Sequence, residues 1–277
     1  MRAVHVNSFA PFFAKNGISA KPKIEGFDLY NTVLSALTWR KHNGEISLVC
    51  DKASAEYYEN LGILGIWNEV RARIPGDLEG LNPHMFWAGG KLLALRETSS
   101  PVVMLDTDFI VWKKLAFSDS VIAAHREDLN PGVYPNIDCF QMKLDYSFNK
   151  AFDYNVLPLN TAFLYLPDED FKQFYVNMAL EFMKSAHNTG DVLCYMVYAE
   201  QRLIAMCAEY LKVKVETLLD KDKLFLPQSD FTHLWGAKQK LREDKNEEEN
   251  FCKRCAQRIR QDYPEFEYVI DIINEQN

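Results

Sequence analysis

Two carboxylates, Asp106 and Asp108, stand two residues apart in Met104-Leu105-Asp106-Thr107-Asp108-Phe109-Ile110-Val111, with apolar residues on both sides. In an extended strand, residues i and i+2 project to the same face. Two carboxylates so placed repel each other, and desolvating them is costly. A divalent cation resolves that conflict. Mg²⁺ and Mn²⁺ favour carboxylate oxygens and leave positions open for phosphates. Asp-x-Asp alone is common on exposed strand ends. The weight here comes from the apolar run 101–105 before the pair and from Phe109-Ile110-Val111-Trp112 after it.

The elements around this pair alternate. Residues 1–8 read as a strand. Residues 28–42 carry Leu29, Val33, Leu34 and Leu37 at helical spacing. Residues 45–50 form a short apolar strand ending in Asp51, residues 53–61 a helix, and residues 67–74 a third strand. Residues 83–96 read as a helix weakened by Gly89 and Gly90, and residues 101–105 as a buried strand. Strands alternating with helices imply βαβ units and a mainly parallel sheet. Ligands of such sheets sit beyond the carboxyl ends of the strands, where Asp51 and Asp106 both fall. Asn7 and Ser8 end the first strand beside that edge.

The second half is less regular. Residues 121–125 and 159–166 read as strands. Residues 168–186, with Phe171, Phe174, Tyr175, Met178 and Phe182, carry one apolar helical stripe. Residues 191–210, with Val192, Tyr195, Met196, Ala199 and Leu203, carry another, and both stripes read as core. Residues 242–250 (REDKNEEEN) read as a charged, solvated break before a final helix.

Residues 86–115 (FWAGGKLLALRETSSPVVMLDTDFIVWKKL) resemble the D-x-D region of GT-A glycosyltransferases. These include the glycogenin-like and lipopolysaccharide galactosyltransferase-like families and related uncharacterised bacterial proteins. The resemblance implies an α/β GT-A fold, with a Rossmann-like, mainly parallel central sheet flanked by helices. It implies a transferase domain over residues 1–241, with residues 242–277 packed on the same domain. Lys91 stands where the family carries a basic helix residue, facing donor phosphates or the metal-site carboxylates. Thr107 belongs to the donor site with its flanking aspartates. Phe231-Thr232-His233-Leu234-Trp235-Gly236-Ala237-Lys238 is similar to the family's H-x-x-G-x-x-K element, one residue shorter before the lysine, with Lys240 as the other lysine in reach. By that resemblance Asp106, Asp108 and His233 bind the metal, Gly236 admits a phosphate close to the backbone, and Lys238 holds the diphosphate. Elementary chemistry agrees, since imidazole is a good ligand, glycine allows close approach and lysine supplies a point charge. Asn160 heads an N-T-A-F strand that resembles the family's N-[TA]-G-x strand, with Ala162 in place of glycine, and would bond a sugar hydroxyl. Ala199-Glu200-Gln201 resembles the acidic [DE]-Q pair near the reacting carbon, so Glu200 would bind sugar or act as a base.

Bulk composition narrows the classes. The chain has 277 residues, 48% hydrophobic and 25% charged, ordinary for a globular protein with a sizeable core. Its net charge of -8 disfavours nucleic acid as a partner, which needs many Lys and Arg contacts to phosphate. No apolar run is long enough to span a bilayer, and residues 1–13 do not read as a signal peptide. A cytoplasmic protein, with peripheral membrane association left open, is the expectation. The six cysteines are scattered, which favours reduced thiols over a disulfide scaffold. Cys252-Lys253-Arg254-Cys255 lacks the second pair that structural zinc needs. No Walker loop, G-x-G-x-x-G or G-x-S-x-G is present.

The expected activity is metal-dependent transfer of a sugar from a nucleotide-sugar donor, a UDP-sugar, to a glycan or lipid-linked acceptor, with Mn²⁺ or Mg²⁺ as cofactor. Asp51 would meet the base or ribose, and Ser8 would line the same pocket. Two other classes remain open. A nucleotidyltransferase also joins an α/β sheet to metal-binding carboxylates, but residues 7–10 lack its glycine-rich basic signature. A glycan-binding protein with a decayed site would keep the fold without turnover.

Overall fold

A computed structural model describes residues 1–187, 192–224, 226, 228–234 and 236–276. Its strands are β1 Ala3–Asn7, β2 Ile46–Cys50, β3 Glu69–Ala72, β4 Val102–Leu105, β5 Phe109–Val111, β6 Val121–Arg126, β7 Leu159–Leu166, β8 Val215–Thr217 and β9 Phe231–His233. Among the described residues seven of them form one sheet in the order β3-β2-β1-β4-β7-β6-β8. β1 pairs parallel with β2 and β4, β2 with β3, and β6 with β8. β7 alone runs against the rest, pairing antiparallel with β4 and β6. The fold is therefore α/β with a mainly parallel sheet, as the strand–helix alternation implies. β5 and β9 form a separate antiparallel pair.

Strand alternation feeds two cores. Ala3, Leu48, Val103 and Leu105 point into one, while Val4, Val49, Val102 and Met104 point into the other. The helices in chain order are α1 Ala10–Asn16, α2 Gly26–His42, α3 Lys52–Asn60, α4 Gly89–Glu97, α5 Glu169–Ser185, α6 Val192–Val197, α7 Leu203–Leu211, α8 Ala237–Glu243, α9 Lys245–Asp262 and α10 Tyr268–Gln276. On the first face α2 lies under α9 and α10, which leaves its buried residues no solvent side from Gly26 to Trp39. On the other face α4, α5 and α7 pack together. The sheet is thus covered on both faces, as parallel strands require.

Three expectations need correction. The helix expected over 83–96 begins only at Gly89. Asn82 Oδ1 accepts from His84 and Met85 N–H, which closes a turn in place of a helical start. The two glycines stand at the first two positions of the helix and not in its interior. Residues 245–250 of the expected charged break are the first turns of α9. Asp244 caps them by accepting from Asn246 and Glu247 N–H, and the acidic first turn suits the positive end of the helix dipole. The helix expected over 191–210 is interrupted by a π-helical turn, Tyr198–Arg202, between α6 and α7, and Asp191 lies outside the described residues. All six cysteines are free thiols. No described helix is long and apolar enough to cross a membrane.

Candidate functional site

Asp106 and Asp108 do not share a strand face. β4 ends at Leu105, Asp106 N–H still donates to Ala162 O at 2.8 Å, and the chain then turns, with Phe109 N–H bonded to Asp106 O at 3.0 Å. The turn aims the two carboxylates at different lysines. Asp106 Oδ1 lies 2.6 Å from Lys91 Nζ, which also donates to Glu200 Oε1 at 2.8 Å. Asp108 Oδ2 lies 3.0 Å from Lys238 Nζ, which is also 3.0 Å from Asp28 Oδ1. Four distant stretches thereby meet at the carboxyl end of β4: α4 with Lys91, the π turn with Glu200, α8 with Lys238 and the first turn of α2 with Asp28.

Local structure explains each placement. α4 packs against β1 and so brings Lys91, its third residue, over the strand ends. The π turn widens the helix and presents Glu200, whose side chain accepts from Thr161 Oγ1 at 2.9 Å while its carbonyl accepts from the Tyr175 hydroxyl at 2.8 Å. Single π turns inside α-helices recur at functional positions. β9 pairs with β5 so that His233 opposes Phe109, and Leu234 N–H donates to Asp108 O at 3.1 Å. Trp235 lies outside the described residues. Gly236 has φ +27, and nothing lies within 4 Å of where its Cβ would be, so its backbone is open to close approach. Lys240 is elsewhere, paired with Glu247 on the surface at 3.3 Å.

The electrostatics follow from this crowding. Burial pushes the Asp106 carboxyl above its usual range, and the nearby Asp108 and Glu200 add to the push that Lys91 opposes. Burial works against Lys91, but Asp106 and Glu200 outweigh it and hold the ammonium well above its ordinary value. Burial also works against charge on Asp108, yet Lys238 and His233 bring it below the usual range. Asp28 is raised, chiefly by burial. Burial lowers His233 to about 4, so its imidazole is neutral near pH 7.

The remaining sequence candidates are placed as follows. Ser8 Oγ donates to Asp51 Oδ2 at 2.7 Å, and Asp51 also accepts from Phe9 N–H and caps α3 through Ser54 N–H, each at 2.7 Å. Those contacts occupy both Asp51 oxygens and fasten the β1 and β2 ends together. Asn160 is buried, donating to Glu127 Oε1 at 2.9 Å and accepting from Ala162 N–H at 3.2 Å. Thr107 is partly buried in the turn.

Sequence reasoning missed Asp28, Thr161 and Tyr134, whose hydroxyl donates to Gln201 Oε1 at 2.5 Å. Thr161 sat inside a noticed motif and Asp28 in the first turn of a recognised helix, but only tertiary contact gives either a role. A second missed feature is a buried chain. Trp67 Nε1 donates to His5 Nδ1 at 3.1 Å, which leaves His5 Nε2–H to donate to Ser35 Oγ at 3.0 Å. Ser35 in turn donates to Phe109 O at 2.6 Å, directly after Asp108.

Among the described residues no three His, Cys, Asp or Glu side chains are grouped as metal ligands. The donor types still suit a hard divalent cation: Asp108 interacts with the neutral His233 imidazole, and the Asp106 carboxylate follows one turn away with the Lys91 ammonium standing between it and Glu200.

Residues 23–273 match a family of unknown function, DUF6734. No curated protein matches. Among solved structures the chain is similar to a PaToxG glycosyltransferase, at 13% identity and TM-score 0.41 over 76% of this chain and 69% of that one. It is similar to the glycosyltransferase GlyE of Streptococcus pneumoniae TIGR4, at 13% identity and TM-score 0.39 over 81% of this chain and 46% of that one. A third is the galactosyltransferase LgtC in complex with donor and acceptor sugar analogs, at 11% identity and TM-score 0.39 over 78% and 73% of the two chains.

Proposed function

We propose that this chain, which belongs to the DUF6734 family, is a GT-A-type glycosyltransferase that moves a sugar from a UDP-sugar to a hydroxyl of a glycan or lipid-linked glycan. One observation carries the reading. Asp106 and Asp108, from a strand-end turn, meet Lys91, Glu200 and Lys238 from three distant elements at the carboxyl edge of the sheet. An anionic diphosphate needs cations at a strand edge, and a sugar needs carboxylates beside them. This cluster offers both.

In the transfer, the bond from the anomeric carbon to the diphosphate oxygen breaks, and its electron pair leaves with the diphosphate. The acceptor oxygen bonds to that carbon, and the hydroxyl proton is released. Lys238 exchanges a carboxylate partner for a phosphate oxygen and stabilises the charge that builds there, the kind of electrostatic assistance that usually dominates. Glu200, fixed by Thr161 and Lys91, either orients the sugar or takes the proton. Lys91 keeps Asp106 and Glu200 from repelling each other. Asp106, Asp108 and His233 would hold Mn²⁺ or Mg²⁺, which when bound supplies Lewis-acid stabilisation to the phosphates. Gly236 leaves room for a phosphate against the backbone.

The test is UDP release from a panel of UDP-sugars with Mn²⁺ present. Release that stops on chelation and in Lys238→Met is the expected result. An Asp108→Ala variant with full metal-dependent turnover would sink the metal assignment.

A further inference from the structure

Arg202 ends the π turn, two residues after Glu200. It is 4% exposed, yet among the described residues it has no carboxylate partner. Its Nη1 donates to Pro135 O at 3.0 Å and its Nη2 to Tyr154 O at 2.7 Å, while Nε has no hydrogen-bond partner. The Tyr198 ring lies 5.8 Å from its Cζ. A guanidinium carries five N–H donors in a planar fork matched to carboxylate and phosphate oxygens. Two neutral carbonyls and a ring leave that fork unneutralised, and buried cations are ordinarily paired. Burial without a counter-charge accordingly pulls Arg202 below its ordinary value.

Arg202 lines a cavity of about 190 Å³ with Tyr134, Asn136, Tyr154 and Asn155 among its walls. Tyr134 ties this cavity to the candidate site, because its hydroxyl bonds Gln201, the residue between Glu200 and Arg202. Asn136 is exposed, so its amide can meet an entering group, while the exposed Asn155 amide already donates to Asp153 Oδ1 at 3.2 Å. Bracing of the 135 and 154 loops accounts for two of the N–H groups and not for the positive charge.

We propose that this cavity is an anion subsite that takes a carboxylate or phosphate group carried on the acceptor sugar, with Arg202 as its counter-ion. Naming the acceptor rests on the glycosyltransferase reading. The anion site itself does not. The acceptor class is thereby an acidic sugar, such as a uronic acid or a sugar phosphate, with the acidic group held beside Glu200 and Gln201.

Calorimetry on the full chain at low salt, without donor or metal, tests this with D-glucuronate, glucose 6-phosphate and glucose. The expected result is at least tenfold tighter binding of an anionic probe than of glucose, with Arg202→Gln removing that advantage and leaving glucose binding unchanged. The order of glucuronate and glucose 6-phosphate tells carboxylate from phosphate. Equal binding of glucose and both anions overturns the proposal, as does an Arg202→Gln variant that keeps the anion affinity. Should that variant not fold, Asn155→Asp sets a negative charge at the exposed mouth. It is expected to weaken the anions at least fivefold and spare glucose, and unchanged anion binding overturns the proposal. UDP release is scored separately. Anion binding through Arg202 without turnover of any UDP-sugar keeps the anion site and removes the transferase reading.

Discussion

Lys91 is the residue on which most of the site's charge balance rests. Its ammonium separates Asp106 from Glu200, and all three side chains are more than two-thirds buried. Lys91→Met leaves two carboxylates without their cation, which costs about 3 kcal/mol for a broken buried pair. Asp106, already held above the usual carboxylate range by burial, rises further once the opposing Lys91 charge is gone. The folded state then holds protons that the unfolded state gives up, so the destabilisation grows as pH rises. Urea unfolding of Lys91→Met should show a larger loss at pH 8 than at pH 5. An equal loss at both would mean that packing, not charge, is what Lys91 contributes. At this scale the sequence was partly legible. Lys91, Asp106 and Glu200 each stood out by type and resemblance. Asp28 did not, because an aspartate in a helix's first turn is explained locally by the dipole, and its partner Lys238 arrives only through the fold.

Among the elements, the π turn and the β4–β5 turn place the chemistry. The stripe Val192, Tyr195, Met196, Ala199 and Leu203 reads as one continuous helix, and apolar spacing cannot reveal a single widened turn. Deleting Ala199 should restore regular α-helix and rotate Glu200 away from Lys91 and Thr161. Helix content by circular dichroism is expected to hold while UDP release falls by roughly 100-fold, the scale of misplacement effects. The β4–β5 turn is braced from below by the Trp67–His5–Ser35–Phe109 chain. Burial lowers His5 to about 3, against 6.5 for the free side chain. The folded state therefore favours neutral His5, so this stability is complete above pH 6.5 and is lost as pH falls from 6.5 toward 3. The full effect is up to roughly 5 kcal/mol. Stability measured from pH 7 to 4 should decline steeply in the natural chain and less steeply in His5→Asn.

For the whole molecule, the parallel half of the sheet was legible because its strands and helices alternate at regular length. The reversed β7 was not, since Leu159–Leu166 is buried on both faces and its pattern reads the same whichever way it runs. Residues 245–250 were misread for a different reason. A charge run looks like solvated loop, but it opens an amphipathic helix whose Cys255 and Ile259 turn inward against α2. Ile259 is fully buried there, and Ile259→Ala should cost about 2–4 kcal/mol by urea unfolding. The distribution of thiols across these layers has a practical consequence. Burial pushes Cys50, Cys207 and Cys255 up to about 12 and Cys252 up to about 11, and Cys194 is enclosed. Cys139 alone is exposed, three residues from Asn136 at the Arg202 cavity. A maleimide fluorophore added to the native fold would attach there first, giving an optical reporter beside the cavity without any engineered handle.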